Sequence, residues 1–321
     1  MSTTDNGNSL VFAVDLGGTH LRAAAVDESG QIRFQLKQST PRDSGEQIVD
    51  AIVRAAQECR EHLPDGNVFS AICVVVPGTV NVATGHVITA PNLPCLNGFD
   101  LRSALRNHLT LPVIIENDAN AAAVGEMWQG AARGYHTIVC LTLGTGVGGG
   151  IILNGKVWHG ANDSAGEIGH AAVEPSGVEC KCGSRGCLEV YASATAIVRM
   201  TREALATHSS RVLEAEDDLT AEKIYRAALD GDQVAVEVFK TVGKYLGIGL
   251  ANVINILNPE VIVIGGGVAN AWDMFADEMK RHIRERAFSL PVSELKIVRA
   301  KCGDDAGVLG AACLAFSSLQ P

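Results

Sequence analysis

The 321-residue chain has no Lys/Arg-rich run, and its 26 Lys and Arg are outnumbered by 36 Asp and Glu, giving a formal net charge of −10. Holding a nucleic-acid backbone requires a basic footprint, so a dedicated nucleic-acid surface is not expected. Long apolar runs are missing as well. Stretches such as VIVI at 261–264 fall far short of the ~20 residues that span a bilayer. Met1–Leu10 is polar and lacks the apolar core of a signal peptide. Together these absences predict a cytoplasmic protein with no membrane partner. No linker, low-complexity tract or long charge run interrupts the chain. Of its nine cysteines, Cys59, Cys73, Cys95, Cys140, Cys302 and Cys313 are scattered through apolar or helical surroundings. In a reducing compartment these read as small buried hydrophobes. The other three crowd into CKCGSRGC, residues 180–187, and need a chemical explanation.

Forty-seven per cent of the residues are hydrophobic and 19% charged, and the length suffices for two domains with sizeable cores. LVFAVDLGGTHLRAAAVDESGQI (10–32) places two apolar runs around a tight DLGGT, the pattern of a β-hairpin that continues into a third strand near Ile32–Lys37. Ile48, Ile52, Ala55, Cys59 and Leu63 then recur at helical spacing over 47–63. Buried strands follow at 71–78 and 113–118, with helices expected at 101–109 and 119–127. TIVCLTLGTGVGGGIILNG (137–155) repeats the opening order of strand, glycine loop and strand. Helices at about 192–207, 220–229 and 232–257 lead to VIVIGGGV (261–268). A helix at about 271–286, a strand at 295–300 and an apolar helix at 306–316 complete the chain. Strands alternating with helices make the class α/β.

Three glycine loops stand out. Gly144-x-Gly146-x-x-Gly149 matches a dinucleotide fingerprint, but a strand follows it where that motif requires a helix. The alternative is a phosphate-holding hairpin: glycines let backbone N–H groups approach an anion closely. Gly17, Gly18 and Thr19 in one hairpin, and Gly144, Thr145 and Gly146 in another, would grip one polyphosphate from two sides. Two tight turns without a ligand are the plainer possibility. Asp15, beside the first loop, suits Mg²⁺ held through water, or simply starts a turn. Gly265, Gly266 and Gly267 follow a buried strand, where a nucleotide's base and ribose fit; a ligand-free turn fits the spacing equally. In IIENDANAAA (114–123), Asn117 and Asp118 lie where a buried strand meets a helix. Asp118 suits a general base and Asn117 a residue that orients the attacking hydroxyl. An ordinary N-cap explains the same pair.

His170, Cys180, Cys182 and Cys187 supply one nitrogen and three sulfurs, the donor set of a closed, structural Cys3His zinc site. Gly183 and Gly186 would let the chain fold back around the ion. Such an ion would fix GEIGH (166–170) and CLE (187–189), and with them Glu167 and Glu189, two carboxylates able to accept hydrogen bonds from a polyol. His170 could hold zinc through one ring nitrogen and substrate through the other.

DLGGTHLR, VPG, APN (90–92), ENDANAAA, LGTGVGGG, GEIGH and CKCGSRGCLE, in this order, resemble the ROK family of bacterial sugar kinases and repressors, most closely its glucokinases, over about residues 10–316. The resemblance implies a two-domain actin/hexokinase-like (ribonuclease H-like) ATPase fold with the active site in the cleft. Residues 1–118, completed by a C-terminal helix at about 304–321, would form the smaller domain, and 119–303 the larger. It also implies Asp118 as catalytic base, and Asn92, Asn117, Glu167, His170 and Glu189 as hexose ligands. The four N/S donors become zinc ligands and the glycine loops the ATP site. The expected reaction is Mg²⁺-ATP-dependent phosphorylation of a hexose, most simply D-glucose, by a homodimer or larger homo-oligomer. Kinases for fructose, mannose, allose or an N-acetylhexosamine stay open. A repressor of the same family would need a DNA-reading helix-turn-helix, and the 14 residues before Asp15 carry no Lys or Arg, so that reading is not expected. Val76, before Pro77-Gly78, departs from the family's more usual glycine.

Overall fold

The computed structural model describes residues 9–64, 67–210, 213 and 218–320. Two five-stranded sheets organise them. The first contains β1 (Leu10–Leu16), β2 (His20–Asp27), β3 (Ile32–Ser39), β4 (Phe69–Val76) and β8 (Val113–Asn117), in the order β3-β2-β1-β4-β8. β1, β2 and β3 form an antiparallel meander, to which β4 and β8 add in parallel. Between them in sequence, β5 (Thr79–Asn81), β6 (His86–Thr89) and β7 (Phe99–Asp100) make a small separate sheet. The second large sheet contains β9 (Ile138–Leu143), β10 (Val147–Leu153), β11 (Lys156–Val157), β12 (Val261–Gly265) and β13 (Lys296–Arg299), in the order β11-β10-β9-β12-β13. Again three strands form an antiparallel meander and two add in parallel. The recurring order of strand, glycine loop and strand is thus a recurring topology.

β1 is buried on both faces, which is why it reads as a nearly continuous apolar run. Alternate residues split between two cores. Leu10, Phe12, Val14 and Leu16 pack with Ile48, Ile52 and Ala55 of the helix Gly45–Glu61. Val11 and Ala13 pack with Val308, Ala311 and Ala312 of the helix Ala306–Ser317. The C-terminal helix therefore covers the first sheet. It also crosses the helix Asp118–Trp128, whose Ala123 and Val124 pack on Ile138, Cys140 and Ile152 of the second sheet. The crossing is backbone to backbone. A Cβ on Gly310 would lie 1.7 Å from the Ala121 carbonyl oxygen, and one on Gly125 2.2 Å from that of Ala306.

Several expected boundaries move. The first helix starts at Gly45, because Ser44 caps it by accepting from the Gln47 N–H, and it stops at Glu61. The helix expected over 101–109 is shorter and ends at Arg106, with Asn107 as its C-cap. Within 261–268 the strand runs Val261–Gly265 and the expected glycine turn follows, Gly266 turning away with a φ of 82° and abutting Leu143. The small sheet at 79–100 was not anticipated. Its strands of three, four and two residues are too short to carry an alternating pattern. No helix among the described residues is long and apolar enough to cross a membrane.

Candidate active site

A cavity of about 650 Å³ lies between the two sheets. Pro77, Gly78 and Asn92 line it on one side, Gly144–Gly148, Glu167, His170 and Glu189 on the other, and Asn117 and Asp118 between them. A smaller cavity of about 180 Å³ shares Asp118, Thr142 and Gly266 and reaches Asp15, Glu126, Gly265 and Asp304. Asp118 therefore stands where the two spaces meet.

Local structure explains its placement. β8 runs into the helix Asp118–Trp128, and Asn117 is the N-cap: its Oδ1 accepts from the Ala119 and Asn120 N–H groups, at 2.9 and 3.0 Å. Its Nδ2 donates to the Gly78 carbonyl at 2.9 Å. The cap foreseen as an alternative for this pair is present, and it is Asn117 that performs it. Asp118 is left at the first helical position, with one oxygen accepting from the Ala119 N–H. Burial, the nearby Asp15 and the carboxylate of Glu167 push its carboxyl up to about 7, against the pull of the backbone donors. Burial likewise pushes Asp15 up to about 6, with Arg22, 3.7 Å away, opposing and Asp304 reinforcing the shift. Both acids thus sit near the protonation threshold at neutral pH.

The second glycine hairpin is fastened by Glu189. Its Oε2 accepts from the Val147 N–H at 3.0 Å and would lie 2.4 Å from a Cβ on Gly146, so a side chain there would have to displace the carboxylate. Gly149 faces the Gly166 carbonyl at 2.3 Å from a would-be Cβ, which locks the hairpin to the GEIGH segment. The first hairpin is placed differently. Gly17, Gly18 and Thr19 are not among the described residues lining these two cavities. Gly18 instead backs onto Asn92, 3.0 Å from a would-be Cβ. Gly267 leaves the shared space and lines a third cavity of about 520 Å³, next to Gly144 and Thr145.

That third cavity went unread in the sequence. Ala221, Tyr225 and Leu229 form one wall, with Glu222, Arg226 and Asn270 as polar groups at its edge. A signal was present: the helix Ala221–Leu229 buries Ile224, Ala227 and Ala228 in the core, yet carries a second apolar stripe at 221, 225 and 229, and Leu229 is 55% exposed. A helix with two apolar faces packs one of them on something other than its own core.

The four N/S donors converge as expected. The imidazole of His170 and the sulfurs of Cys180, Cys182 and Cys187 all offer an atom within 4.8 Å of one another. The Cys182 and Cys187 sulfurs are 3.7 Å apart, and Cys180 Sγ is 3.8 Å from His170 Nδ1. Tetrahedral zinc with Zn–S bonds of about 2.3 Å requires sulfurs about 3.8 Å apart, so the donors fit such an ion. Gly183 and Gly186 supply the left-handed turns, at φ of 91° and 66°, that fold the loop back. His170 turns its other nitrogen, Nε2, toward Glu167, 3.9 Å away. One ring thus faces the sulfur cluster and the cavity at once.

Residues 11–318 match the ROK family. The chain belongs to that family. It is 39% identical over 304 residues to the glucokinase of Halalkalibacterium halodurans, covering 92% of both proteins. Its backbone superposes on a ROK family glucokinase from Streptomyces griseus, solved in complex with glucose and AMPPNP, with a TM-score of 0.82, 36% identity, and coverage of 96% of this chain and 100% of that one. A ROK hexokinase from Thermus thermophilus gives a TM-score of 0.83 at 32% identity, covering 97% and 99%. The fold is the actin/hexokinase-like α/β class, as the resemblance implied.

Proposed function

We propose that this ROK protein is an ATP-dependent hexose kinase of the glucokinase type, converting D-glucose to glucose 6-phosphate. The observation that carries this reading is Asp118: a carboxyl held near pH 7, on the wall of a cavity whose other groups are Asn92, Asn117, Glu167, His170 and Glu189. The carboxylates and the imidazole Nε2 suit the hydroxyls of a sugar. Asp118 takes the proton of the 6-hydroxyl, becoming neutral. The oxygen attacks the γ-phosphorus in line, the bond to the β-phosphate breaks, and ADP leaves. The raised titration point matches this role, since a base works best near the ambient pH.

The glycine turn Gly144–Gly146 borders both the sugar cavity and the third cavity, which supports a nucleotide lying with its phosphates at the turn and its base against Ala221, Tyr225 and Gly267. Gly265 and Gly266 edge the same path. The first hairpin, Gly17–Thr19, would reach the phosphates on closure of the cleft. Mg²⁺ bound with the nucleotide would offset the charge of the transferring group, and Asp15 would hold it through water. His170, Cys180, Cys182 and Cys187 would hold zinc as a scaffold, its role being to fix the segments that carry Glu167 and Glu189.

The test is a panel of hexoses with ATP and Mg²⁺, reading ADP release. Turnover should be highest with glucose, and Asp118→Ala should lose about 10²-fold or more in kcat while keeping the fold. No turnover with any hexose, or near-normal turnover in the variant, overturns the reading.

A further inference from the structure

One buried acid beside the base turn has no part in the scheme above. Glu116, the residue before Asn117, is only 2% exposed. Its Oε1 accepts from the Asn117 N–H at 2.9 Å and from Asn120 Nδ2 at 3.1 Å. Its Oε2 meets the Nε2 of His159 at 2.7 Å. His159 comes from the other half of the molecule, just past β11, and the segment it opens ends in Glu167 and His170. The same segment touches the first half once more, where Asp163 Oδ2 accepts from the Val82 N–H at 3.2 Å. Its own turn is closed by the Ala165 N–H on the His159 carbonyl, at 3.0 Å.

We infer that His159 is a positioning residue: through Glu116 it holds the Asn117–Asp118 turn in register with the sugar-binding segment 158–170. A buried carboxylate stays ionised only with donors around it, and losing one partner of a buried pair is strongly destabilising. Here the donors are the turn's own backbone N–H and a side chain from across the cavity. The carboxylate therefore transmits the place of one to the other. Glu116 raises the imidazole's titration point and Asp163 adds to this, while burial opposes both. The inference rests on the kinase reading for its kinetic consequence, though not for its geometry.

Two measurements on the full chain test it. Kinetically, His159→Gln should lower kcat by about tenfold to a hundredfold, the scale of a small misplacement of a reacting group. KM for the sugar should stay within about threefold, since the displaced turn carries the base but only one other proposed sugar ligand, Asn117. His159→Arg, which keeps a hydrogen-bond donor for Glu116, should recover most of kcat. Unchanged kcat in His159→Gln, or a change confined to KM, overturns the inference. Spectroscopically, the Asn117 amide should shift as His159 titrates in wild type, and this titration should vanish in His159→Gln. An Asn117 amide that titrates alike in both, or in neither, overturns it too. The amide measurement needs no substrate. Absence of hexose turnover in wild type would refute the kinase reading while the amide result still decides the pair.

Discussion

At Asp118 the proposed base chemistry and stability pull in opposite directions. Its folded titration point, about 7, lies above the ordinary 3.8. Between those values the native state binds more protons than the unfolded chain, so this group's contribution to stability falls as pH rises from about 4 to 7 and stays low above. Two outcomes follow. Turnover should climb as pH rises through about 7, because only the ionised form accepts a proton; a kcat profile flat from pH 5 to 8 would contradict this. Asp118→Asn, which cannot ionise, should raise the melting temperature at pH 8 and change it much less at pH 4, whatever it does to activity. Asp118 and Asn117 were legible because a polar pair closing an apolar strand is conspicuous. Which of the two caps the helix was not legible, since either side chain reaches the same N–H groups and only backbone geometry decides.

Among the elements, the glycine hairpin 144–149 shows what sequence spacing conveys and what it conceals. The strand–loop–strand order could be read, because apolar runs and glycines mark it. The side chain that abuts Gly146, Glu189, lies 43 residues further on, and nothing local announces the contact. The small sheet at 79–100 and the stripe at 221, 225 and 229 were missed for a related reason: their meaning depends on neighbours distant in sequence. The crossing of helices 118–128 and 306–317 gives a sharp expectation. Gly310→Ala would push a methyl into the Ala121 carbonyl, which costs about 1–3 kcal/mol by overpacking. Chemical denaturation should show a lower midpoint with an unchanged m-value. Wild-type stability in that variant would mean that the two backbones separate freely.

At the level of the whole molecule, two copies of one strand order face each other, and the chemistry collects where their strands end. This matches the general placement of ligands at the carboxyl ends of strands in α/β proteins. The sulfur cluster is joined to the cavity through His170 and, two residues after Cys187, through Glu189. We expect about one zinc per chain by elemental analysis. Cys182 is exposed, so Cys182→Ser removes no core packing, and any loss of stability reports the ion itself. That variant should lose the metal, melt at a lower temperature, and bind hexose more weakly, with nucleotide affinity less affected. Full stability in a metal-free protein would exclude the scaffold role.

The crossing of the two central helices has one more consequence. Where Gly125 and Gly310 meet the opposing chain, no side chain separates the two backbones, while Trp128 and Phe316 meet across the same pair of helices. Because one helix covers the first sheet and the other packs on the second, their spacing also sets the spacing of the two sheets.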